Sequence, residues 1–391
     1  MPANLPAEAR ALWEKAARAK TKEEKLRALQ EFLSAVPKHK GTEKLRRHVK
    51  SRIAQLRKEL ALERQKKAGR RGFSLFVPKE RGTPQVALVG VPNSGKSRLL
   101  RQLTGASVEE SPVPFSTRAP TPGMLVADGV YIQLVEVPSI IEGASEGRAD
   151  GTIALAAARN ADAIALAIDL SQDPIVQFQV LASELFEGGI DILQGPELLI
   201  QRRHPGYGLH LRVEGRLVDC CEDDVRRILT DYGVRNADVI IRGEASLDQI
   251  EERILHPVVR KPAIVLATKA DLDPEGVQFG RLTSAIAGHL PLLLIRGDPE
   301  VLRKEVAHAL LRVMDLIRVY AKEPSRSKPS DRPILVPRGT RVIEVAALLH
   351  SRLSRGFKYA RVWGRSVRFP GERVGAHHVL EDGDVVEIRA S

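Results

Sequence analysis

Gly90-Val91-Pro92-Asn93-Ser94-Gly95-Lys96-Ser97 matches the pattern G-x-x-x-x-G-K-[ST] at every fixed position. The five residues before it, Gln85-Val86-Ala87-Leu88-Val89, are apolar and β-branched and predict a buried strand. The residues after it, Arg98-Leu99-Leu100-Arg101-Gln102-Leu103, repeat leucine at helical spacing. Strand, glycine loop and helix together turn the pattern into a phosphate cradle. Gly90 and Gly95 let the backbone curl so that its N–H groups point inward. The helix N-terminus adds about half a positive charge. In that arrangement Lys96 reaches the β- and γ-phosphates, and the Ser97 hydroxyl binds Mg²⁺. The loop therefore predicts a nucleoside triphosphate site and a doubly wound, mostly parallel α/β domain.

The flanking sequence agrees. Tyr131–Glu136 and Ala161–Asp169 read as further strands, with helical segments between, and Ala263–Ala267 and Pro291–Ile295 continue the series. At the end of the 263 strand stands Thr268-Lys269-Ala270-Asp271. An aspartate there can accept from guanine N1–H and its exocyclic amine, a bidentate contact adenine cannot offer, while the lysine stem lies along the base. This selects GTP over ATP. Between 178 and 248 the pattern changes to alternating strands and one helix, a small α+β insertion. A helix is expected from about 301 to 319, then a Lys/Ser/Pro linker over 322–331, then a module over 330–391 with two strands, a helix and many arginines. In that module Tyr359 and Trp363 read as core packing or as base-stacking surfaces.

Residues 7 to 67 read as two helices. Leu45, Val49, Ile53, Leu56 and Leu60 form one stripe of the second, and Thr21 with Glu24 forms a capping box in the first. Lys38 to Arg71 holds 14 Lys/Arg against three Glu, a net of +11, while the whole chain carries +12. A surface this lopsided predicts a nucleic-acid partner. The chain is 43% hydrophobic, ample for several cores. It has no apolar run of the roughly 18 residues that a membrane span needs and no signal-peptide pattern at its start, so no membrane is expected and the cytoplasm is. Its two cysteines, Cys220 and Cys221, are adjacent, which excludes a disulfide framework or a zinc site and leaves packing as their use.

The motifs resemble those of the Obg-type GTPases, and most of all the developmentally regulated GTP-binding family, in an archaeal-like form. Phe115-Ser116-Thr117 resembles the family's F-T-T switch segment, and Glu136-Val137-Pro138-Ser139-Ile140-Ile141-Glu142-Gly143-Ala144 its D-x-P-G-I-I-E-G-A. Leu316–Tyr320 and Val374–Ile388 are long matches near the C-terminus. The resemblance implies four parts: a basic helical hairpin over 1–72, a GTPase domain over 84–325, the α+β insertion over 178–248 inside it, and a C-terminal TGS domain of β-grasp fold over 330–391. It implies GTP and GDP as ligands, slow Mg²⁺-dependent hydrolysis, a role with RNA or the ribosome, and a stabilising partner protein. Ser97, Thr117 and Glu136 would hold Mg²⁺, with Lys96 and Thr117 serving hydrolysis. Val91, Pro92, Asn93, Ser94, Ser139, Thr268, Lys269, Asp271 and Arg296 would complete the nucleotide site. Asn93 resembles a K⁺-binding asparagine, or else it only caps the loop.

Four positions depart from the family pattern. Glu136 stands for aspartate, Ser139 for the glycine that meets the γ-phosphate, Thr268 for asparagine, and Arg296-Gly297 for Ser-Ala. Serine at 139 lacks glycine's freedom in φ, and threonine at 268 is expected to weaken the brace on the phosphate loop. Ile140 occupies the place where Ras-like enzymes orient water with glutamine. Two rival readings follow: a degenerate GTPase acting as an RNA-binding scaffold, and a P-loop ATPase, against which Asp271 argues.

Overall fold

In a computed structural model, the chain is described over residues 11–13, 15–16, 19, 21–36, 46, 49–50, 52–53, 56, 60, 77–80, 82–105, 120–193, 195–255, 258–286, 288–324 and 328–390. It divides into two compact units, residues 75–193 with 261–391, and residues 1–74 with 194–260.

The first unit is built on a six-stranded sheet. Its strands are β1 (Gln85–Gly90), β2 (Thr121–Ala127), β3 (Val130–Glu136), β4 (Ala163–Asp169), β8 (Ala263–Thr268) and β9 (Leu292–Leu294). Their order is β9-β8-β4-β1-β3-β2, parallel except for β2, which returns antiparallel to β3. The inner strands β1, β4 and β8 are buried along their whole length. That is why each reads as an unbroken apolar run rather than an alternation. Helices α2 (Lys96–Thr104), α3 (Gly151–Asn160), α4 (Pro174–Glu187), α7 (Val277–Ile286) and α8 (Pro299–Val313) belong to this domain. Leu99, Leu100 and Leu103 of α2 pack with Leu302, Val306 and Leu310 of α8 on one side of the sheet. Ala154 and Ala158 of α3, Leu181 and Leu185 of α4, and Leu282 and Ile286 of α7 cover the other.

The expected helix over 301–319 ends at Val313, and the same unit goes on as a second sheet. Asp315 takes a left-handed φ of 51°, and Leu316–Ala321 becomes β10. In β10, Ile317 and Val319 face inward between half-buried neighbours, a period of two that no helix can bury on one side. With β11 (Ile334–Pro337), β12 (Phe357–Trp363), β13 (Glu372–Val374) and β14 (Asp384–Ala390) it forms a five-stranded sheet in the order β11-β10-β14-β12-β13. Helix α9 (Val342–Leu349) lays Val342, Val345 and Ala346 onto it. The expected start of this module at 330 thus moves back to its first strand. Tyr359 and Trp363 stay half-buried outside the core cluster, each under a cation: Arg373 lies 3.9 Å from the Tyr359 ring and Lys322 4.8 Å from Trp363.

The second unit holds the N-terminal helices and the insertion. Helix α1 (Lys22–Ala35) starts at the expected box: Glu24 N–H donates to Thr21 Oγ1 at 3.1 Å, and Thr21 N–H to Glu24 Oε2 at 3.3 Å. Val49, Ile53, Leu56 and Leu60 are helical and buried as their spacing requires. Leu45 and most of the basic run to Arg71 lie outside the described residues. The insertion expected over 178–248 forms a three-stranded sheet over 197–245, since α4 belongs beneath β4. Its strands are β5 (Glu197–Arg202), β6 (Leu209–Leu217) and β7 (Ala237–Ala245), in the order β5-β7-β6. Helices α5 (Glu222–Asp231) and α6 (Leu247–Leu255) cover one face through Val225, Ile228, Leu229 and Ile250. Cys221 is not packing material: it is exposed, and its thiol donates to Asp224 Oδ2 at 3.0 Å. Among the described residues no helix is long and apolar enough to cross a membrane.

Candidate nucleotide-binding site

Four neighbouring strands end at one edge of the large sheet, each on a polar or glycine residue: β8 at Thr268, β4 at Asp169, β1 at Gly90 and β3 at Glu136. Register steps these ends down across the sheet: Thr268 lies opposite Asp169, Gly90 opposite Ala167 and Glu136 opposite Leu88. Clefts outside the carboxyl ends of such strands are where open α/β sheets take ligands.

Gly90 is required by space. A Cβ there would lie 2.4 Å from Ser94 Oγ and 2.8 Å from the Ala167 carbonyl. Gly95, with φ of 82°, caps the N-terminus of α2, and Asn93 takes φ of 60° with its side chain exposed. Val91 and Pro92 are half-buried on the rising limb of the loop, and Ser94 is fully buried. Lys96 folds back over the loop. Its ammonium donates to the carbonyls of Gly90 (3.1 Å) and Val91 (2.9 Å) and to Ser139 Oγ (3.0 Å), which uses all three of its protons. Burial pushes its pKa down from 10.5 to about 8, opposed by the attraction of Glu136. The Ser97 hydroxyl donates to Glu136 Oε1 at 2.6 Å. The longer glutamate therefore still reaches the hydroxyl that closes the loop, and the extra methylene is taken up inside the buried strand end. Ser139 is buried, and its segment is tied to β1 because Ile140 N–H donates to the Gly90 carbonyl at 3.1 Å. Ile140 itself is wholly buried.

On the other flank Thr268 does what its substitution for asparagine put in question. Its Oγ1 lies 2.8 Å from the Ser94 carbonyl and 3.1 Å from the Ile168 carbonyl, and its one proton shared between them braces the phosphate loop against β4. The expected weakening of that brace is not what the geometry shows. Lys269, at φ of 55°, pairs with Asp169 Oδ2 at 2.6 Å. Asp169 is in turn held by Ser171, whose N–H and hydroxyl both donate to Oδ1, while Gln177 bonds the Asp169 backbone on both sides. Asp271 sits exposed in the short turn that follows, and Arg296 is exposed beyond β9, before Gly297 at φ of 97°. Thr117 and its Phe115–Thr117 segment lie outside the described residues.

Two participants escaped the sequence reading. Asp169 fixes the lysine of the T-K-x-D stretch; a carboxylate ending a buried apolar strand was the signal. Glu184 on α4 accepts from the N–H groups of Gly143 and Ser145, both at 2.7 Å, and so pins the loop after Ser139. Its partners lie 41 and 39 residues away, and no local pattern points to them.

Residues 85–193 match the family model described as a 50S ribosome-binding GTPase, and residues 317–390 match the TGS domain. The chain is 30% identical over 367 residues to the human developmentally-regulated GTP-binding protein 2, covering 93% of this chain and 98% of the relative. It belongs to the developmentally regulated GTP-binding family. It is also similar to a GTP-binding protein of Methanocaldococcus jannaschii, 34% identical over 368 residues, covering 94% of this chain and 92% of the relative. A solved structure, the YchF GTPase of Schizosaccharomyces pombe, overlaps 81% of this chain and all of its own, at 13% identity and a TM-score of 0.46. The family-model match over 85–193 takes in Glu136 and Ser139, while Thr268 lies outside it. Each is accommodated by a contact named above.

Proposed function

We propose that this chain binds GTP and GDP at the carboxyl edge of its large sheet and hydrolyses GTP slowly, in the presence of Mg²⁺, while attached to RNA or a ribosome. One observation carries the reading: Lys96, Ser97, Glu136, Ser139, Thr268 and the Lys269–Asp169 pair converge on one edge around a glycine loop at a helix N-terminus. Lys96 is the residue to take β- and γ-phosphate oxygens, exchanging the loop carbonyls for them. Backbone N–H groups of 91–97 would hold the remaining phosphate charge. Lys269, steadied by Asp169, flanks the base, Asp271 reads guanine, and the backbone at Arg296 meets its O6.

The donor set fits Mg²⁺. The Ser97 hydroxyl and Glu136 carboxylate are hard oxygen ligands already side by side, and Thr117 is assigned as the third. When bound, Mg²⁺ neutralises phosphate charge. Ile140 offers no polar atom to a water, so intrinsic hydrolysis is slow. Asn93, exposed at the loop, is assigned to K⁺, which would lend positive charge there. The basic segment 38–71 and the TGS domain supply attachment to RNA.

A second reading, a nucleotide-holding scaffold without turnover, is favoured by the Ser139 hydroxyl occupying a Lys96 proton. The test is binding of fluorescent GTP and GDP with Mg²⁺ present and ATP as competitor, followed by phosphate release in K⁺ against Na⁺. Guanine-selective binding with release above a Lys96→Ala control supports the GTPase. Binding without release leaves the scaffold, and preference for ATP sinks the guanine assignment. Removing residues 1–71 is expected to weaken RNA binding and flatten its salt dependence. An unchanged slope removes the basic segment from the proposal.

A further inference from the structure

The connection from β5 to β6 does not join paired neighbours. It arches over the start of β7, since Arg202 and Leu209 both register against Ala237. The arch is built as a rigid display. Asn236 Oδ1, just before β7, accepts from the N–H groups of Gly206 and Gly208, both at 3.0 Å. Those glycines take φ of 90° and 84°, which other residues rarely adopt. Asp238, two residues on in β7, takes Arg203 Nε at 2.7 Å on one oxygen and the Tyr207 hydroxyl at 2.9 Å on the other.

These bonds present three rings and a guanidinium to solvent. Tyr207 is 37% exposed, and Arg202, Arg203, His204 and His210 are all exposed. His204 and His210 meet the tyrosine ring edge-on, with centroids 5.7 and 4.8 Å away, and Arg203 stands 5.7 Å over it. An edge-to-face pair covers a face of one ring only and leaves both faces of the ring that supplies the edge open. None of Arg203 to Tyr207 is buried, so the order of the arch serves no core. Charge singles out the same place. Residues 201–216 carry four arginines and one glutamate, whereas 217–255 carry ten acids and five arginines. The insertion is acidic except at this edge.

We propose that the arch at 203–208 is a stacking site for an unpaired base of single-stranded RNA, with Arg202 and Arg212 taking the adjoining phosphates. Exposed π faces beside arginines are what unpaired bases bind, and a duplex keeps its bases out of reach of such a platform. The inference rests on the reading that this chain meets RNA and adds a contact to it that neither the basic segment nor the TGS domain provides.

The test uses the full chain and a fluorescent twelve-nucleotide oligoadenylate RNA, titrated at several salt concentrations, with thermal unfolding as a folding control. Tyr207→Ala is expected to weaken binding about tenfold, the worth of one stacked base, without changing the salt slope. Tyr207→Phe is expected to bind within twofold of the parent, and Arg202→Ala to lower the slope by about 0.7. If Tyr207→Ala binds like the parent, or if Phe loses as much as Ala, the stacking site is overturned while RNA binding stands. An equal loss on a duplex RNA of the same length also overturns it. A parent chain that binds no RNA overturns this inference and the RNA reading together.

Discussion

Lys96 holds its charge where water cannot reach it, and that has two measurable consequences. Holding an ammonium whose pKa is about 8 instead of 10.5 costs the folded state on the order of 3 kcal/mol relative to water. The base is depressed, so the unfolded chain binds more protons than the folded one between about pH 8 and 10.5. Through that window the penalty is relieved as pH rises. Lys96→Met therefore raises the melting temperature of the nucleotide-free chain at pH 7 while abolishing GDP binding; a variant less stable than the parent would show that the three hydrogen bonds outweigh the buried charge. Nucleotide affinity in the parent is level below about pH 7.5 and declines above about 8 as free Lys96 loses its proton, whereas Lys96→Arg, which cannot titrate there, shows no such decline. Ser139 acts on the same ammonium. Ser139→Gly frees one proton of Lys96 and restores the peptide's freedom in φ, so GTP affinity rises several-fold, read by stopped-flow with a fluorescent analogue. Equal affinities would mean the hydroxyl follows the lysine onto phosphate.

At the scale of elements, the loop after β3 is held by a neighbour rather than by itself. Glu184 of α4 satisfies two of its N–H groups, charge-assisted bonds of about 1.5–3 kcal/mol each by ordinary magnitudes. Glu184→Ala is expected to raise amide exchange over 141–147 by one to two orders of magnitude, with β1 and β4 unchanged; unaltered exchange would place the restraint elsewhere. The same contact explains what could be read in advance. The strands of the large sheet were legible because parallel strands buried on both faces need continuous apolar runs, and the phosphate loop because its chemistry lies within eight consecutive residues. The Glu184 latch and the Asp169–Lys269 pair were not, because their partners are 39 to 100 residues apart and only strand order brings them together. The boundary near 315 was misread for a related reason. Leu316–Ala321 is as apolar as the helix before it, and only pairing with β11 and with β14, more than sixty residues on, makes it a strand. Thr268 shows the converse: a substitution that looks like a loss keeps its brace, since one hydroxyl spans the distance that an amide otherwise would.

Within the unit formed by the large sheet and the TGS domain, one small junction joins the two sheets. The β2–β3 hairpin turns at Asp128-Gly129, with φ of 48° and 76°, the Asp-Gly pair that a two-residue turn with both φ positive prefers. The Asp331 carbonyl lies 2.6 Å from where a Gly129 Cβ would be, so the chain entering β11 is seated on the turn. Arg332 completes the seat, donating to Thr83 Oγ1 at 2.8 Å and covering the Tyr131 ring at 4.3 Å. Tyr131 lies on β3, the strand that ends at Glu136 and runs on into the Ser139 segment, so a displacement of that segment by nucleotide is expected to reach the TGS entry along β3. Gly129→Ala places a methyl against a backbone oxygen and strains a positive φ together. It should cost about 1–3 kcal/mol of stability and expose the 322–331 stretch to protease. Arg332→Ala removes the seat without straining the turn. It is expected to leave the melting temperature nearly unchanged while making cleavage in 322–331 insensitive to GTP against GDP, where the parent chain is expected to differ between the two. If cleavage in the parent is the same with either nucleotide, β3 carries no signal to the TGS domain, and the junction only fastens one sheet to the other.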